Sequence, residues 1–292
     1  MTIEKRKHNR TSSALYQIST SVLIAVYHKD NADFFRTALE SIYEQQAVKP
    51  DEIVIVCDGP LTRELDVVID SFSADKQDIV KVVRLNESAG LGPALKAGSL
   101  QCTGSRIFRM DADDISDPTR FEIQLKYLLQ HPEVDVLGGN IAEFSNSPEE
   151  EHMTIRACPQ EEEEIHSFMK TRNPMNHVSV CIRRQALLDG GNYRELKGVE
   201  DYELWVRMIY RGYHFANIPE TLVYVRVGNG MYARRGMHEV VKNRNHLQDI
   251  MCSYGMIDHK AAFMRKCMFT VFANLPVQMK KGIYRSLLRK RK

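Results

Sequence analysis

The amino-acid sequence lacks an apolar run long enough to cross a membrane. A transmembrane helix needs about 18 or more consecutive, predominantly apolar residues, and no such run occurs among the 292 residues. The basic and polar residues 4–10 are also not followed by the apolar segment of a signal peptide. We therefore expect a cytoplasmic protein, either free or peripheral on the inner face of the cytoplasmic membrane.

Cysteine is scarce as well, and neither sign of charge is in large excess. The six cysteines are scattered and form no C-x-x-C pair, which disfavours a disulfide scaffold and predicts reduced thiols. The 40 basic residues nearly balance the 38 acidic ones, so the net charge is +2. This balance does not indicate a nucleic-acid partner, and none is expected.

The pattern of the first half alternates short apolar runs with amphipathic segments. Strands are predicted at 21–27, 52–57, 79–85, 105–110 and 134–137, and helices at 33–46, 63–73, 92–101 and 118–130. This alternation predicts an α/β fold whose mainly parallel, Rossmann-like sheet is flanked by helices. The second half predicts strands at 178–182 and 222–227, a helix at 200–210 and further helix from 237 onward.

Polar residues follow four of the predicted strands, at 27–30, 58–59, 86–90 and 111–114. Ligands of parallel α/β sheets bind beyond the carboxyl ends of the strands. We therefore expect these four groups to meet at one edge of the sheet, although they lie far apart in the sequence.

The segment Asp111-Ala112-Asp113-Asp114 places three carboxylates within four residues. Their mutual repulsion would be offset by a cation. Mg²⁺ and Mn²⁺ prefer such oxygen ligands and often share their shell with substrate phosphates. The alternative is a helix N-cap before Pro118, for which a single Asp would suffice.

Glu200 and Asp201 form a second acidic pair, at the start of a predicted helix. Carboxylates at this place stabilise a helix through its dipole. One of them could instead act as a general base. The residues alone leave both interpretations open.

Five segments resemble, in order, the motifs of the family 2 glycosyltransferases with the GT-A fold, especially bacterial enzymes of O-antigen and exopolysaccharide assembly. They are SVLIAVY (21–27), VCDG (56–59), NESAGLG (86–92), RMDADD (109–114) and VEDYELW (199–205). The resemblance implies a metal-dependent, inverting hexosyltransferase. Its donor would be a nucleotide-sugar, expected to be a UDP-sugar, and its acceptor a saccharide expected to be linked to a pyrophosphoryl lipid.

The resemblance also implies roles for residues on the donor side. Six would contact the nucleotide-sugar: Tyr27, Asp58, Asn86, Gly90, Arg109 and Asp111. Asp58 would accept a hydrogen bond from a uracil-type base, although a turn before Gly59 explains the same residue. Asp111 and Asp113 would hold Mn²⁺ or Mg²⁺.

On the acceptor side, the resemblance implies that Asp201 is the catalytic base, with Glu200 as the alternative. Further contacts to the acceptor or the diphosphate are expected from Asp114, His177, Trp205, Arg226 and Arg235. Trp205 lies on an apolar helix face and His177 precedes a strand, so both also fit purely structural roles.

The implied organisation has a flexible lead-in at 1–19, a GT-A catalytic domain at 20–236 and a helical, basic extension at 237–292. Within the catalytic domain, 20–140 would bind the nucleotide-sugar and 141–236 the acceptor. The basic end of the chain mixes apolar side chains with many Lys and Arg. This mixture suits an anionic membrane surface as well as a solvated tail.

Two other functions compete with this interpretation. A nucleotidyltransferase would usually carry a basic, glycine-rich loop after its first strand, where this chain has Tyr27-His28-Lys29-Asp30. A non-catalytic nucleotide-sugar-binding module would not need the pair Glu200 and Asp201.

Overall fold

The computed structural model describes residues 17–145, 153–227 and 238–274. The strands are β1 (Thr20–Tyr27), β2 (Glu52–Asp58), β3 (Val80–Arg84), β4 (Arg106–Asp111), β5 (Ile115–Ser116), β6 (Val136–Phe144), β7 (Thr154–Arg156), β8 (Cys181–Arg183) and β9 (Phe215–Arg226). The helices are α1 (Ala32–Ile42), α2 (Arg63–Ser73), α3 (Leu91–Gln101), α4 (Arg120–Gln130), α5 (Glu162–Met169), α6 (Arg184–Asp189), α7 (Glu200–Tyr210), α8 (His238–Ser253) and α9 (His259–Asn274). No helix among these residues is long and apolar enough to span a membrane.

The strands form one sheet in the order β3-β2-β1-β4-β8-β6-β9-β5, with β7 paired to β6. The predicted α/β class is confirmed, and β1 to β4 make its parallel part. The second half of the sheet is mixed, because β8 runs antiparallel to both β4 and β6. Apolar runs predict burial of a strand but not its direction, so this change was not visible in the sequence.

The first two strands are buried on both faces because successive side chains point to opposite sides of the sheet. Val22 and Ile24 of β1 pack into a cluster with the α1 and α2 side chains. Leu23, between them, packs into a second cluster that includes α3 and α7. Helix α3 lies so close to the sheet that a Cβ on Gly98 would come within 2.4 Å of Leu23 Cδ1.

Strands β6 and β9 extend beyond the predicted segments 134–137 and 222–227. Gly138 and Gly139 weaken the strand pattern of β6 but permit close packing. A Cβ on Gly138 would lie 2.3 Å from Asn217 Oδ1, and one on Gly139 would lie 2.5 Å from Leu222 Cδ1. Pro219 disfavours a strand, and β9 accommodates it next to a register shift at Asn140.

The predicted strand at 178–182 is divided in the structure. A 3₁₀ turn covers His177–Ser179 and is followed by the short strand β8. The 3₁₀ turn positions Ser179, whose hydroxyl donates to Gly139 O at 3.1 Å.

The helical extension is confirmed as far as residue 274. Helices α8 and α9 pack on α7 through one apolar cluster that includes Val199, Val206, Leu247, Met251 and Ala262. The proposed domain boundaries stay predictions. Most of the lead-in and the basic segment after residue 274 lie outside the described residues.

Candidate functional site

The carboxyl ends of β1, β2 and β4 meet at one edge of the sheet, as the sequence predicts. Tyr27 pairs with Asp58 between β1 and β2, and Ala25 pairs with Asp111 between β1 and β4. Neighbouring strands are thereby held in a register that brings the residues after them together.

Asp58 connects this edge to the loop that follows β3. Its carboxylate accepts hydrogen bonds from Ser88 Oγ at 2.9 Å, Ala89 N at 2.7 Å and Gly90 N at 3.1 and 3.3 Å. Gly90 has φ +91°, a backbone conformation that favours glycine. Asp58 thus shapes the loop that contains the exposed Asn86, and its contact to a nucleotide base stays a prediction.

Arg109 lies buried beneath the end of β4, with 2 % of its surface exposed. Its guanidinium forms an ion pair with the half-buried Asp111. Burial lowers the pKa of Arg109, but the charges of Asp111 and Asp114 outweigh this effect and the pKa is raised. The acidic cluster therefore has a fixed cation below it.

Asp114 is also buried, and its carboxylate accepts a hydrogen bond from Arg226 N at 2.9 Å. Burial raises the pKa of Asp114 well above its usual range, and the charges of Asp111 and Asp113 raise it further. Arg109 alone therefore does not neutralise the cluster, and an additional cation nearby would favour its ionised form.

The fit of a divalent metal rests on Asp111 and Asp113, whose side chains are half-exposed. Within the described ranges, no group of three or more His, Cys, Asp or Glu side chains is placed to hold a metal ion. Mg²⁺ is usually bound through one or two carboxylates together with substrate phosphates. The two carboxylates therefore fit a metal whose shell a diphosphate completes.

The side chain of Arg226 lies beside this cluster. Its guanidinium carbon is 3.7 Å from the ring centre of Phe34 and 4.7 Å from that of Phe144. Its Nε donates to Asp113 O at 3.4 Å. Contact of Arg226 with a diphosphate stays a prediction, and Arg235 lies outside the described residues.

Glu200 and Asp201 open helix α7 next to the start of α3. A Cβ on Gly92, at the start of α3, would lie 3.1 Å from Glu200 Cγ. Glu200 Oε2 accepts a hydrogen bond from Gly198 N at 2.8 Å, and the residue is 9 % exposed. Asp201 Oδ1 accepts a hydrogen bond from Tyr202 N at 2.8 Å, and the choice of Asp201 or Glu200 as the base stays a prediction.

The charge of one buried cation, Arg109, acts on both acidic groups, although about ninety residues separate them. Burial raises the pKa of Asp201 and of Glu200, and the charge of Arg109 opposes the shift of both. The same guanidinium forms the ion pair with Asp111.

His177 and Trp205 lie next to each other beneath the site, with ring centres 6.0 Å apart. His177 Nε2 is 3.0 Å from Tyr193 Oη. Burial and the charge of Arg109 lower the pKa of His177 well below its usual range, so the ring is neutral at pH 7. Trp205 has no exposed surface and packs against Phe215. The core covers the helix face of Trp205, and contact of Trp205 or His177 with the acceptor or the diphosphate stays a prediction.

Two residues of the site were missed in the sequence. Asn173 donates from Nδ2 to Asp201 Oδ2 at 2.6 Å. Arg244, on α8, lies close enough for Asp201 to oppose the lowering of its pKa by burial. Neither residue belongs to a recognisable motif, and only folding brings them to Asp201.

Comparison with known proteins places this geometry in a family. Residues 21–196, more than half of the chain, match the family model described as "Glycosyl transferase family 2". The match ends before Glu200 and Asp201, so it does not cover the second acidic pair.

Several curated proteins are similar over most of their length. An uncharacterized glycosyltransferase of Haemophilus influenzae is 37 % identical over 270 residues, which cover 92 % of this chain and 99 % of the relative. The amylovoran biosynthesis glycosyltransferase AmsE of Erwinia amylovora is 37 % identical over 223 residues (76 % and 82 %). The UDP-Gal:alpha-D-GlcNAc-diphosphoundecaprenol beta-1,3-galactosyltransferase of Escherichia coli is 35 % identical over 216 residues (74 % and 77 %).

Solved structures share the fold at low sequence identity. S. aureus TarS 1–349 in complex with UDP-GlcNAc superposes with a TM-score of 0.64 at 16 % identity, over 80 % of this chain and 67 % of that one. The mannosyltransferase PcManGT from Pyrobaculum calidifontis, in complex with GDP-Man and Mn²⁺, superposes with a TM-score of 0.61 at 14 % identity (96 % and 86 %). These similarities identify the fold as GT-A.

Proposed function

The chain belongs to glycosyl transferase family 2, and we propose that it transfers a hexose from a UDP-sugar to a saccharide on a pyrophosphoryl lipid, with inversion at the anomeric carbon. The observation that carries this proposal is that the second acidic pair lies close to the strand edge: Asp58 accepts a hydrogen bond from Gly90 N at 3.1 Å, and a Cβ on Gly92 would lie 3.1 Å from Glu200 Cγ. A transferase of this kind needs a site for the donor diphosphate next to a separate base for the acceptor.

The donor side is formed by the strand-end residues. Asp111 and Asp113 would hold Mn²⁺ or Mg²⁺, which when bound offsets the negative charge on the departing diphosphate. Tyr27, Asn86 and the loop held by Asp58 would bind the nucleoside. Arg226, next to Asp113 O, would approach the diphosphate.

Asp201 acts as the base in this proposal. The acceptor hydroxyl gives its proton to the Asp201 carboxylate while its oxygen forms a bond to the anomeric carbon. The bond from that carbon to the diphosphate oxygen breaks, and its electron pair leaves with UDP. A raised pKa supports this role, because a base is most effective when its pKa approaches the working pH.

The substrates are proposed from the relatives. One relative is named for a UDP-Gal donor and a GlcNAc-diphosphoundecaprenol acceptor, and another for amylovoran biosynthesis. We infer that this chain uses a UDP-hexose and a lipid-linked intermediate of O-antigen or exopolysaccharide synthesis, at the cytoplasmic face of the membrane.

The test is a UDP-release assay with Mn²⁺ or Mg²⁺, a panel of UDP-hexoses and a GlcNAc-diphospho-lipid acceptor. UDP release must depend on both donor and acceptor. Asp201→Asn should lower kcat by at least about 10³-fold and leave UDP binding near that of the wild type. Asp78→Asn, an exposed carboxylate before β3, is the matched control and should keep full turnover.

Normal turnover by Asp201→Asn would contradict the base assignment. If Glu200→Gln is inactive while Asp201→Asn is active, Glu200 is the base. Release of pyrophosphate from a nucleoside triphosphate and a sugar 1-phosphate, with no UDP released from the UDP-hexoses, would support a nucleotidyltransferase.

A further inference from the structure

Helix α9 carries an apolar surface that is open to solvent in the described part of the chain. Phe263, Met264, Met268 and Val271 are between 57 and 68 % exposed, and Cys267 is exposed as well. Residues four apart lie side by side on a helix. Phe263, Cys267 and Val271 therefore form one row, Met264 and Met268 form the adjacent row, and together they make the outer face of α9.

The orientation of this face is set by the packing of the opposite side. Ala262 is buried in the apolar cluster that also holds Val199 and Val206. Arg265 donates a hydrogen bond to Lys170 O. Helix α9 is thus held against α7 and the turn after α5, and its outer face points away from the protein. Contiguous exposed apolar surface of this kind marks an interaction site.

The charge of this part of the chain indicates the partner. Residues 259–292 contain ten Lys and Arg and no Asp or Glu. Residues 1–258 contain the other 30 of the 40 basic residues and all 38 acidic residues. A strongly basic end is therefore attached to a net acidic body, and the even overall balance conceals this asymmetry.

We propose that the outer face of α9 docks on an anionic lipid bilayer, where its apolar side chains enter the boundary between headgroups and acyl chains and the basic residues of 259–292 contact lipid phosphates. An amphipathic helix with apolar and basic residues binds such surfaces through burial of its apolar side chains and through attraction of its basic residues to anionic lipids. A second copy of this chain fits less well, because a symmetric contact through α9 would bring two strongly basic segments together.

Helix α9 lies on the same side of the molecule as the proposed catalytic base. Phe269 of α9 lies 5.5 Å below the guanidinium of Arg244. Ala262 of α9 also shares an apolar cluster with Val199 and Tyr202, the residues that flank Glu200 and Asp201 in the chain. A bilayer on the outer face would thus lie on the Asp201 side of the molecule. The proposed docking rests on the proposed function, because the lipid-linked acceptor is taken from there.

The experiment measures sedimentation of the full-length protein with vesicles of phosphatidylcholine alone or mixed with phosphatidylglycerol. The wild type should bind the anionic vesicles, and binding should weaken as salt is raised. Met264→Glu/Val271→Glu should reduce the partition coefficient about tenfold or more. Val67→Glu/Leu100→Glu introduces the same charges at apolar positions that are 49 and 54 % exposed on α2 and α3, and it should bind like the wild type.

A second variant, Lys280→Gln/Lys281→Gln, removes two positive charges and replaces no apolar residue, and it should weaken binding and flatten its salt dependence. The proposal is overturned if the wild type ignores anionic vesicles or if Met264→Glu/Val271→Glu binds them normally. It is also overturned if the wild type is a dimer that Met264→Glu/Val271→Glu converts to a monomer. Vesicle binding needs no donor, so bound protein that fails to transfer sugar to a short-chain acceptor would contradict only the proposed function.

Discussion

Asn173 holds the side chain of Asp201 through a hydrogen bond of 2.6 Å from its Nδ2 to Asp201 Oδ2. The amide itself is oriented, because Asn173 Oδ1 accepts a hydrogen bond from Met175 N at 3.1 Å. This bond lowers the pKa of Asp201, while burial raises it more strongly. Asn173 is therefore a positioning residue for the proposed base.

Asn173→Ala removes this bond, so the pKa of Asp201 should rise further. A base works only when it is deprotonated, so the acidic limb of the kcat–pH profile should move to higher pH. Loss of orientation should also reduce kcat by about ten- to a hundredfold. Asn243→Ala, which removes a hydrogen bond to Lys197 O on the surface, is the matched control. A reduced kcat with an unmoved pH profile would show that Asn173 does not set the pKa of Asp201 and would contradict this prediction.

The proposed metal role of Asp113 predicts a defect in donor binding. Asp113→Ala should weaken Mn²⁺-dependent UDP binding at least about tenfold, because a small ion held by few carboxylates loses a ligand. Calorimetric titration of UDP with Mn²⁺ and with EDTA measures the effect. EDTA should abolish the difference between variant and wild type. Equal affinities in Mn²⁺ would contradict the metal assignment.

The base-bearing helix is anchored by a buried ion pair. Glu203 and Arg207 are 0 and 1 % exposed and lie 2.7 Å apart between Oε2 and Nη2. Removal of one partner leaves a buried charge uncompensated. Glu203→Ala should therefore lower the free energy of unfolding by about 3–5 kcal/mol, measured by urea denaturation. Glu203→Leu/Arg207→Met should be closer to the wild type, and an equal loss in both variants would contradict this explanation.

His177 predicts a pH dependence of stability. Its pKa in the folded protein lies well below the ordinary value of 6.5. The unfolded chain therefore binds a proton below about pH 6.5 that the folded chain does not bind. The neutral folded form is fully favoured above that pH and loses stability as the pH falls towards the folded pKa. His177→Gln should reduce the loss of unfolding free energy between pH 7 and pH 5.5, and an unchanged slope would contradict it.

The alternation of apolar and amphipathic segments predicted the parallel half of the sheet closely. Helices α2 and α7 occupy the predicted residues 63–73 and 200–210. The convergence at the strand ends followed from the rule for parallel sheets, and the pairing of Tyr27 with Asp58 agrees with it. The second half was harder, because Gly138, Gly139 and Pro219 interrupt the pattern of strands whose packing accommodates them.

The sequence by itself determined the α/β class, the acidic strand end and the family, because each depends on local pattern or on short motifs. Only the tertiary structure decided which side chains surround them. It buried Trp205, bound the Asp58 carboxylate to the loop Ser88–Gly90 through hydrogen bonds and brought Asn173 to Asp201. It also brought the start of α3 next to Glu200, which lies far from it in the chain. Burial and long-range contacts arise from packing between elements that are distant in the sequence. The spacing of residues along the chain therefore does not predict them.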